Sequence, residues 1–366
     1  MAFTQDELVR YARHLSLAGF GVEAQEKLKR ARVLVIGAGG LGCPALLYLS
    51  AAGAGRITLL DADRVELSNL QRQGLFTTED VGQLKVEVAA SRLRALNPLI
   101  EVVPRAERLT RANALALVRA CDVVIDGSDN FATRYLVNDA CVIEGKPFIY
   151  GAIHAFEGQA SVFNWQGGPT YRCLFPKPAL AAMAPNCSEA GVLGVLPGLI
   201  GTVQATEAIK LITGIGESLS GRLLLWDALT MRTRTLTLVA DPSNQEIREL
   251  PPEPDEAMCS AESPLNADEI DAIELRTTFP KVQLIDVREA WERAAGTILP
   301  SAHVPLATLQ SGQLSTAIPA LDPSKLTVVF CTTGARSRKA LALLREHHGF
   351  TQARSLRGGY RGWDAG

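Results

Sequence analysis

The segment ARVLVIGAGGLG (31–42) carries Gly37, Gly39 and Gly42 at G-x-G-x-x-G spacing, with Gly40 between them. Coming out of an apolar stretch, these glycines permit a tight strand-to-helix turn. They also let backbone N–H groups approach a phosphate at a helix N-terminus. A second strand, RITLLDAD, ends on Asp61, nineteen residues beyond Gly42, where a carboxylate can hold ribose hydroxyls. Alone, these features suit NAD. The next run, VELSNLQRQ (65–73), puts Asn69 and Arg72 beside the phosphates, and Lys85 follows at a helix start. Several polar and cationic groups around phosphates suit a site that breaks a phosphoanhydride better than one that passes a hydride. The chemistry read here is nucleotidyl transfer.

Two of the seven cysteines stand in settings that favour reaction. Cys331 ends LTVVFC and opens the loop Cys331-Thr332-Thr333-Gly334-Ala335-Arg336, after which a helix starts. The N–H groups of such a loop converge on the sulfur, and the helix dipole and Arg336 stabilise an anion there. That setting suits a reactive thiolate or a terminal persulfide. Cys187, in PNCSEAGVLG, precedes an apolar helix expected over 194–212, whose dipole favours a thiolate. Cys43, Cys121 and Cys141 lie among apolar residues and read as small core side chains.

The elements that must position these groups alternate along 1–240. Helices are expected over 82–96, 112–119 and 132–143, between the strands LIEVVPR and CDVVIDGSDN. Alternating strands and helices indicate an α/β fold with a doubly wound, Rossmann-like, mostly parallel sheet. QASVFNW, RLLLWDA and RTRTLTLVA extend it in antiparallel fashion. Residues 241–264 hold five prolines and several acids and read as a linker, and from 265 a smaller α/β module begins. A length of 366 residues fits two or three domains at ~150 residues each.

A net charge of −2 and a pI near 6.3 give no blanket attraction to nucleic acid or membrane. The apolar runs fall short of a membrane span and the polar N-terminus is unlike a signal peptide, so a cytoplasmic protein with reduced thiols is expected.

With GSDN (127–130), the ordered motifs RYARH, GAGGLG, DADRVELSNLQRQ, YRCLFP and NCSEAGVLG make residues 5–238 resemble the MoeB/ThiF family, relatives of ubiquitin-activating enzymes. The resemblance implies adenylation of the C-terminal Gly-Gly carboxylate of a small ubiquitin-like sulfur carrier. It implies that Asp61 binds ribose, that Asn69, Arg72 and Lys85 bind the ATP phosphates, and that Asp129 holds Mg²⁺. Gly37, Gly39, Gly40, Gly42, Ser68 and Asn130 complete the implied nucleotide set. Arg13 would reach the ATP of the partner subunit of a homodimer, and Cys187 would attack the activated carrier or resolve its disulfide. Relatives hold a structural zinc with two C-x-x-C pairs. Here Thr170 takes the leading place before Cys173 and DPSNQEIREL has no cysteine, so no structural zinc is expected.

The Cys331 loop, IDVREAWE (285–292), HVPL (303–306) and GGYRGW (358–363) make 265–366 resemble a rhodanese domain. Related phosphatases separate their cysteine and arginine by five residues; here four separate Cys331 from Arg336, which favours sulfur transfer. Asp286 and Arg288 are read as supports for the loop and core. Thr297 replaces a histidine usual to the family, at no expected cost to the chemistry. The joined modules then look like molybdopterin-synthase adenylyltransferase and sulfurtransferase proteins, with an upstream persulfide donor such as a cysteine desulfurase. The same chemistry also serves thiamin, tRNA thiolation, and cysteine or siderophore synthesis. Two rivals from other classes are an NAD-dependent oxidoreductase and a non-catalytic carrier-binding scaffold.

Overall fold

Strand β1 (Arg32–Ile36) is apolar after its first residue and lies in the middle of a parallel sheet, where both faces are covered. Val33 and Val35 face one core with Leu46, Leu49 and Leu93, while Leu34 and Ile36 face the other with Phe148 and Tyr171. The computed structural model describes residues 3–176, 191–251, 267–279, 281–311 and 321–364. Cys187 and Cys259 lie outside the described residues.

The chain divides into two compact units, Met1–Pro252 and Glu253–Gly366. The first has an eight-stranded sheet in the order β3-β2-β1-β4-β5-β6-β7-β8. Its further strands are β2 (Arg56–Leu60), β3 (Glu101–Arg105), β4 (Val123–Asp126), β5 (Phe148–His154), β6 (Glu157–Phe163), β7 (Arg222–Asp227) and β8 (Arg232–Thr237). The strands from β3 to β5 run parallel, and β5 to β8 pair antiparallel, as the alternation and the three late strand patterns require. Ile36 pairs with both Leu60 and Asp126. The ends of β1, β2 and β4 are therefore level, which sets Gly37, Asp61 and Gly127 along one edge.

Two expectations are corrected. The helix expected from residue 82 is Lys85–Leu96, because Gly82 is left-handed and Leu84 extended, neither of which a helix admits. The helix Val195–Thr213 does meet the length and apolarity of a membrane span. Gly201, Gln204 and Glu207 are nevertheless buried on it, and Gln204 donates to the carbonyls of Asp126 and Ile149 within this unit. The chain beyond β8 stays on the first unit at its start: Pro242–Gln245 is a short 3-10 helix and Leu250 is buried in the Phe148 core.

The second unit has a parallel sheet in the order β11-β10-β12-β13-β9. Its strands are β9 (Glu269–Ile270), β10 (Gln283–Asp286), β11 (Ala302–His303), β12 (Thr327–Phe330) and β13 (Ala353–Leu356). Asp286 pairs with Phe330, so Cys331 leaves β12 just where Val287 leaves β10.

Candidate active site

Gly37 adopts φ +93°, and a Cβ there would sit 2.9 Å from the Gly127 carbonyl oxygen, so the glycine turn and the GSDN turn touch through bare backbone. A Cβ on Gly39 would meet nothing closer than 3.9 Å, which leaves that face of the turn open to a phosphate. Asp61 braces the turn: its Oδ2 accepts from the Ala38 amide at 2.7 Å and its Oδ1 from the Asp63 amide at 2.8 Å. Burial raises the Asp61 pKa, with Lys85 and the Ala38 amide opposing it.

Lys85 opens the helix Lys85–Leu96 and is 6% exposed, with Nζ 3.3 Å from the Asp63 carboxylate. A nearly buried ammonium with one carboxylate partner is a ready phosphate ligand. Asn69 is buried in a short 3-10 helix, with its amide toward Ser68 Oγ, and Arg72 Nη1 donates to the Ser68 carbonyl. Gln73, close by, is buried and its Oε1 has no partner among the described residues, which fits a polar ligand. Asp129 is exposed on the GSDN turn, while the Asn130 side chain caps the next helix by accepting from the Thr133 amide at 2.9 Å. An exposed carboxylate beside a phosphate turn fits a hydrated Mg²⁺.

Under this turn lies a pair that no local sequence pattern marks. Asp126 is fully buried at the end of β4, with Arg134 Nε 3.6 Å from its carboxylate. Arg134 also donates to the Ser128 carbonyl at 3.0 Å and so ties the GSDN turn to the helix Phe131–Ile143. Near the N-terminus, Arg13 is exposed on a helical turn held by its neighbours. The Tyr11 hydroxyl accepts from Asn97 at 2.9 Å, and His14 Nδ1 lies 2.9 Å from Gln25 Oε1.

The positions around Cys173 also come together. Asp241 and Asn244 repeat the three-residue step of Thr170 and Cys173 and meet them in space. Cys173 Sγ accepts from the Thr170 and Asp241 amides, each at 3.3 Å, with the Asn244 amide nitrogen at 3.7 Å. Burial pushes the thiol pKa up, but these donors and the Thr170 hydroxyl outweigh it and hold it below the ordinary value. Cys43, Cys121 and Cys141 are buried, and burial pushes the first two up to about 12.

In the second unit Cys331 is buried, with the Gly334 amide donating to Sγ at 3.1 Å and Ser337 Oγ 3.7 Å away. Gly334 is left-handed, which turns its N–H back toward the sulfur before the helix Ala335–His348. Behind the loop, the Tyr360 and Arg361 amides donate to the Cys331 and Thr332 carbonyls at 2.7 and 3.1 Å. GGYRGW therefore clamps the loop from the other side. Arg336 does not rest on the sulfur: its guanidinium donates to both Glu292 carboxylate oxygens, at 2.7 and 2.6 Å. Asp286 and Arg288 form a buried bidentate pair, and Arg288 lies over the Tyr360 ring. Thr297 donates to Asp286 at 2.8 Å, so its hydroxyl supplies a donor to the support carboxylate.

A family model described as the ThiF family matches residues 11–247, and one described as the rhodanese-like domain matches 271–366. The chain is 45% identical over 375 residues to a probable adenylyltransferase/sulfurtransferase, MoeZ, of Mycobacterium tuberculosis, covering 99% of this chain and 94% of the relative. It is 54% identical over 247 residues to a sulfur carrier protein adenylyltransferase of Thermus thermophilus, covering 66% of this chain and 91% of the relative. A crystal structure of E. coli MccB with AMPCPP and MccA matches 64% of this chain and 72% of that one, at 26% identity and a TM-score of 0.57. With both loops formed and each unit matched by its own family, the chain belongs to the ThiF family, joined to a rhodanese-like domain, and is an ATP-using adenylyltransferase and sulfurtransferase.

Proposed function

We propose that the first unit adenylates the C-terminal Gly-Gly carboxylate of a ubiquitin-like sulfur carrier and that the second converts it to a thiocarboxylate, in molybdenum cofactor synthesis in the cytoplasm. The level ends of β1, β2 and β4 carry this reading, because they gather Gly37, Asp61 and the GSDN turn beside Lys85. The carrier carboxylate attacks the α-phosphorus of ATP; the bond to the bridging oxygen breaks and pyrophosphate leaves. Gly37, Gly39, Gly40 and Gly42 admit the phosphates, and Asn69, Arg72 and Lys85 offset the charge that develops. Ser68 and Asn130 shape the rim, and Asp61 takes the ribose. Mg²⁺ held by Asp129 would supply further neutralisation at the phosphates. Arg13, exposed and braced at its base, acts on the ATP of the partner subunit of a homodimer.

Cys331, first persulfidated by a donor such as a cysteine desulfurase, attacks the acyl carbon through its terminal sulfur and expels AMP. The backbone of the loop Thr332, Thr333, Gly334 and Ala335 holds the anion, led by the Gly334 amide, while Arg336 stays paired with Glu292. Cys187 then attacks the Cys331 sulfur, releasing the thiocarboxylate and leaving a Cys187–Cys331 disulfide for a thiol reductant. Single-turnover mass spectrometry with ATP, carrier and a persulfide donor tests the reading. Cys331→Ala retains acyl-adenylate and loses thiocarboxylate; thiocarboxylate at the normal rate in that variant overturns it.

A further inference from the structure

The one cation of the sulfur loop is already engaged. Of residues 331–336 only Arg336 is charged. Both oxygens of Glu292 accept from it, Thr332 Oγ1 donates to Glu292 at 2.6 Å, and the Glu289 amide donates to Glu292 at 3.0 Å. Glu292 comes from another element, the short helix Ala290–Ala294, and only a tenth of its side chain is exposed. The carboxylate thus takes up the guanidinium and one loop hydroxyl together.

A small dianionic sulfur donor must approach a cradle built around an anionic sulfur, and Arg336 is the loop group able to offset that repulsion. We infer that Glu292 is a specificity-determining residue: by neutralising Arg336 it disfavours dianionic donors such as thiosulfate, relative to donors of lower charge. The inference rests on Cys331 being the sulfur carrier. In the reaction concerned, the Cys331 thiolate attacks the outer sulfur of thiosulfate. The S–S bond of thiosulfate breaks, sulfite departs with the electron pair, and Cys331 holds the persulfide. Cyanide then takes the terminal sulfur as thiocyanate and returns the thiolate.

The test uses the full chain with cyanide and two donors, thiosulfate and the monoanion methanethiosulfonate, which share the same sulfane S–S bond. The readout is the ratio of their kcat/KM values, which does not depend on how much of a variant is folded. Glu292→Gln should raise the thiosulfate-to-methanethiosulfonate ratio about tenfold, the effect of one charge-assisted contact made available to the dianion. Glu292→Asp keeps the charge and should keep the wild-type ratio. In Glu292→Gln/Arg336→Ala the gain should vanish. A flat ratio in Glu292→Gln, or a gain that survives loss of Arg336, overturns the inference. Thiocyanate formation persisting in Cys331→Ala would instead overturn the sulfur-carrier reading beneath it.

Discussion

At the scale of single residues, two side chains make sharp predictions. Cys173 is partly exposed and its thiolate is favoured by amide and hydroxyl donors, whereas Cys43 and Cys121 are buried and pushed up to about 12. Iodoacetamide at neutral pH should therefore label Cys173 ahead of Cys43 and Cys121, as peptide mapping would show, and Thr170→Val should slow that labelling. Arg134 is the counter-charge to a carboxylate that has no exposure at all. Burial raises the Asp126 pKa and Arg134 opposes it. Arg134→Ala should destabilise the first unit by about 3–5 kcal/mol in urea unfolding, because it leaves a buried charge uncompensated. Arg134→Lys should cost less, since an ammonium keeps the charge but not the two-pronged reach to Asp126 and Ser128.

At the scale of elements, Glu292 links the helix Ala290–Ala294 to the sulfur loop and makes that link pH-dependent. Burial would raise its pKa, but hydrogen bonds from Arg336 and Thr332 outweigh this and hold it at about 2. A pKa lowered by folding gives stability that is present above the ordinary glutamate value of about 4.3 and is lost as pH falls through about 2. The thermal midpoint of the second unit should drop through that window in the wild type. Glu292→Gln should be less stable by about 1–3 kcal/mol at pH 7 and should converge on the wild type at low pH. Much of this site could be read along the chain, because a glycine turn, a Cys-to-Arg loop and a strand-ending aspartate are local patterns. The pairs that brace it could not. Glu292 and Arg336 are forty-four residues apart, and Cys173 meets Asp241 across sixty-eight. The family resemblance alone sets DPSNQEIREL opposite Thr170 and Cys173; its own residues, which include no cysteine, show the contact only once the chain beyond β8 folds back. Similarly, DADR displays two aspartates, and only the packed turn shows Asp61 bracing Ala38 while Asp63 meets Lys85.

At the scale of the whole molecule, the two chemistries are housed in units with their own sheets and cores. Asp129→Ala should abolish carrier-dependent ATP–pyrophosphate exchange and leave thiosulfate-to-cyanide sulfur transfer unchanged; loss of both activities would contradict the separation. The α/β character of both units, though not their strand order, followed from apolar runs and the spacing between them, whereas the helix Val195–Thr213 imitates a membrane span because its buried polar groups are few. One contact has a consequence for the history of the protein. A Cβ on Gly37 would strike the Gly127 carbonyl, and a Cβ on Gly127 would lie 3.0–3.1 Å from the carbonyls of Ile36 and Gly37 and the amide of Gly42. Each glycine's tolerance of change is thus set by the other's backbone. Both positions should therefore stay glycine: because each clash is with backbone, a second substitution on the far side cannot rescue the first, and descendants of this chain can diverge around the two turns while both glycines remain.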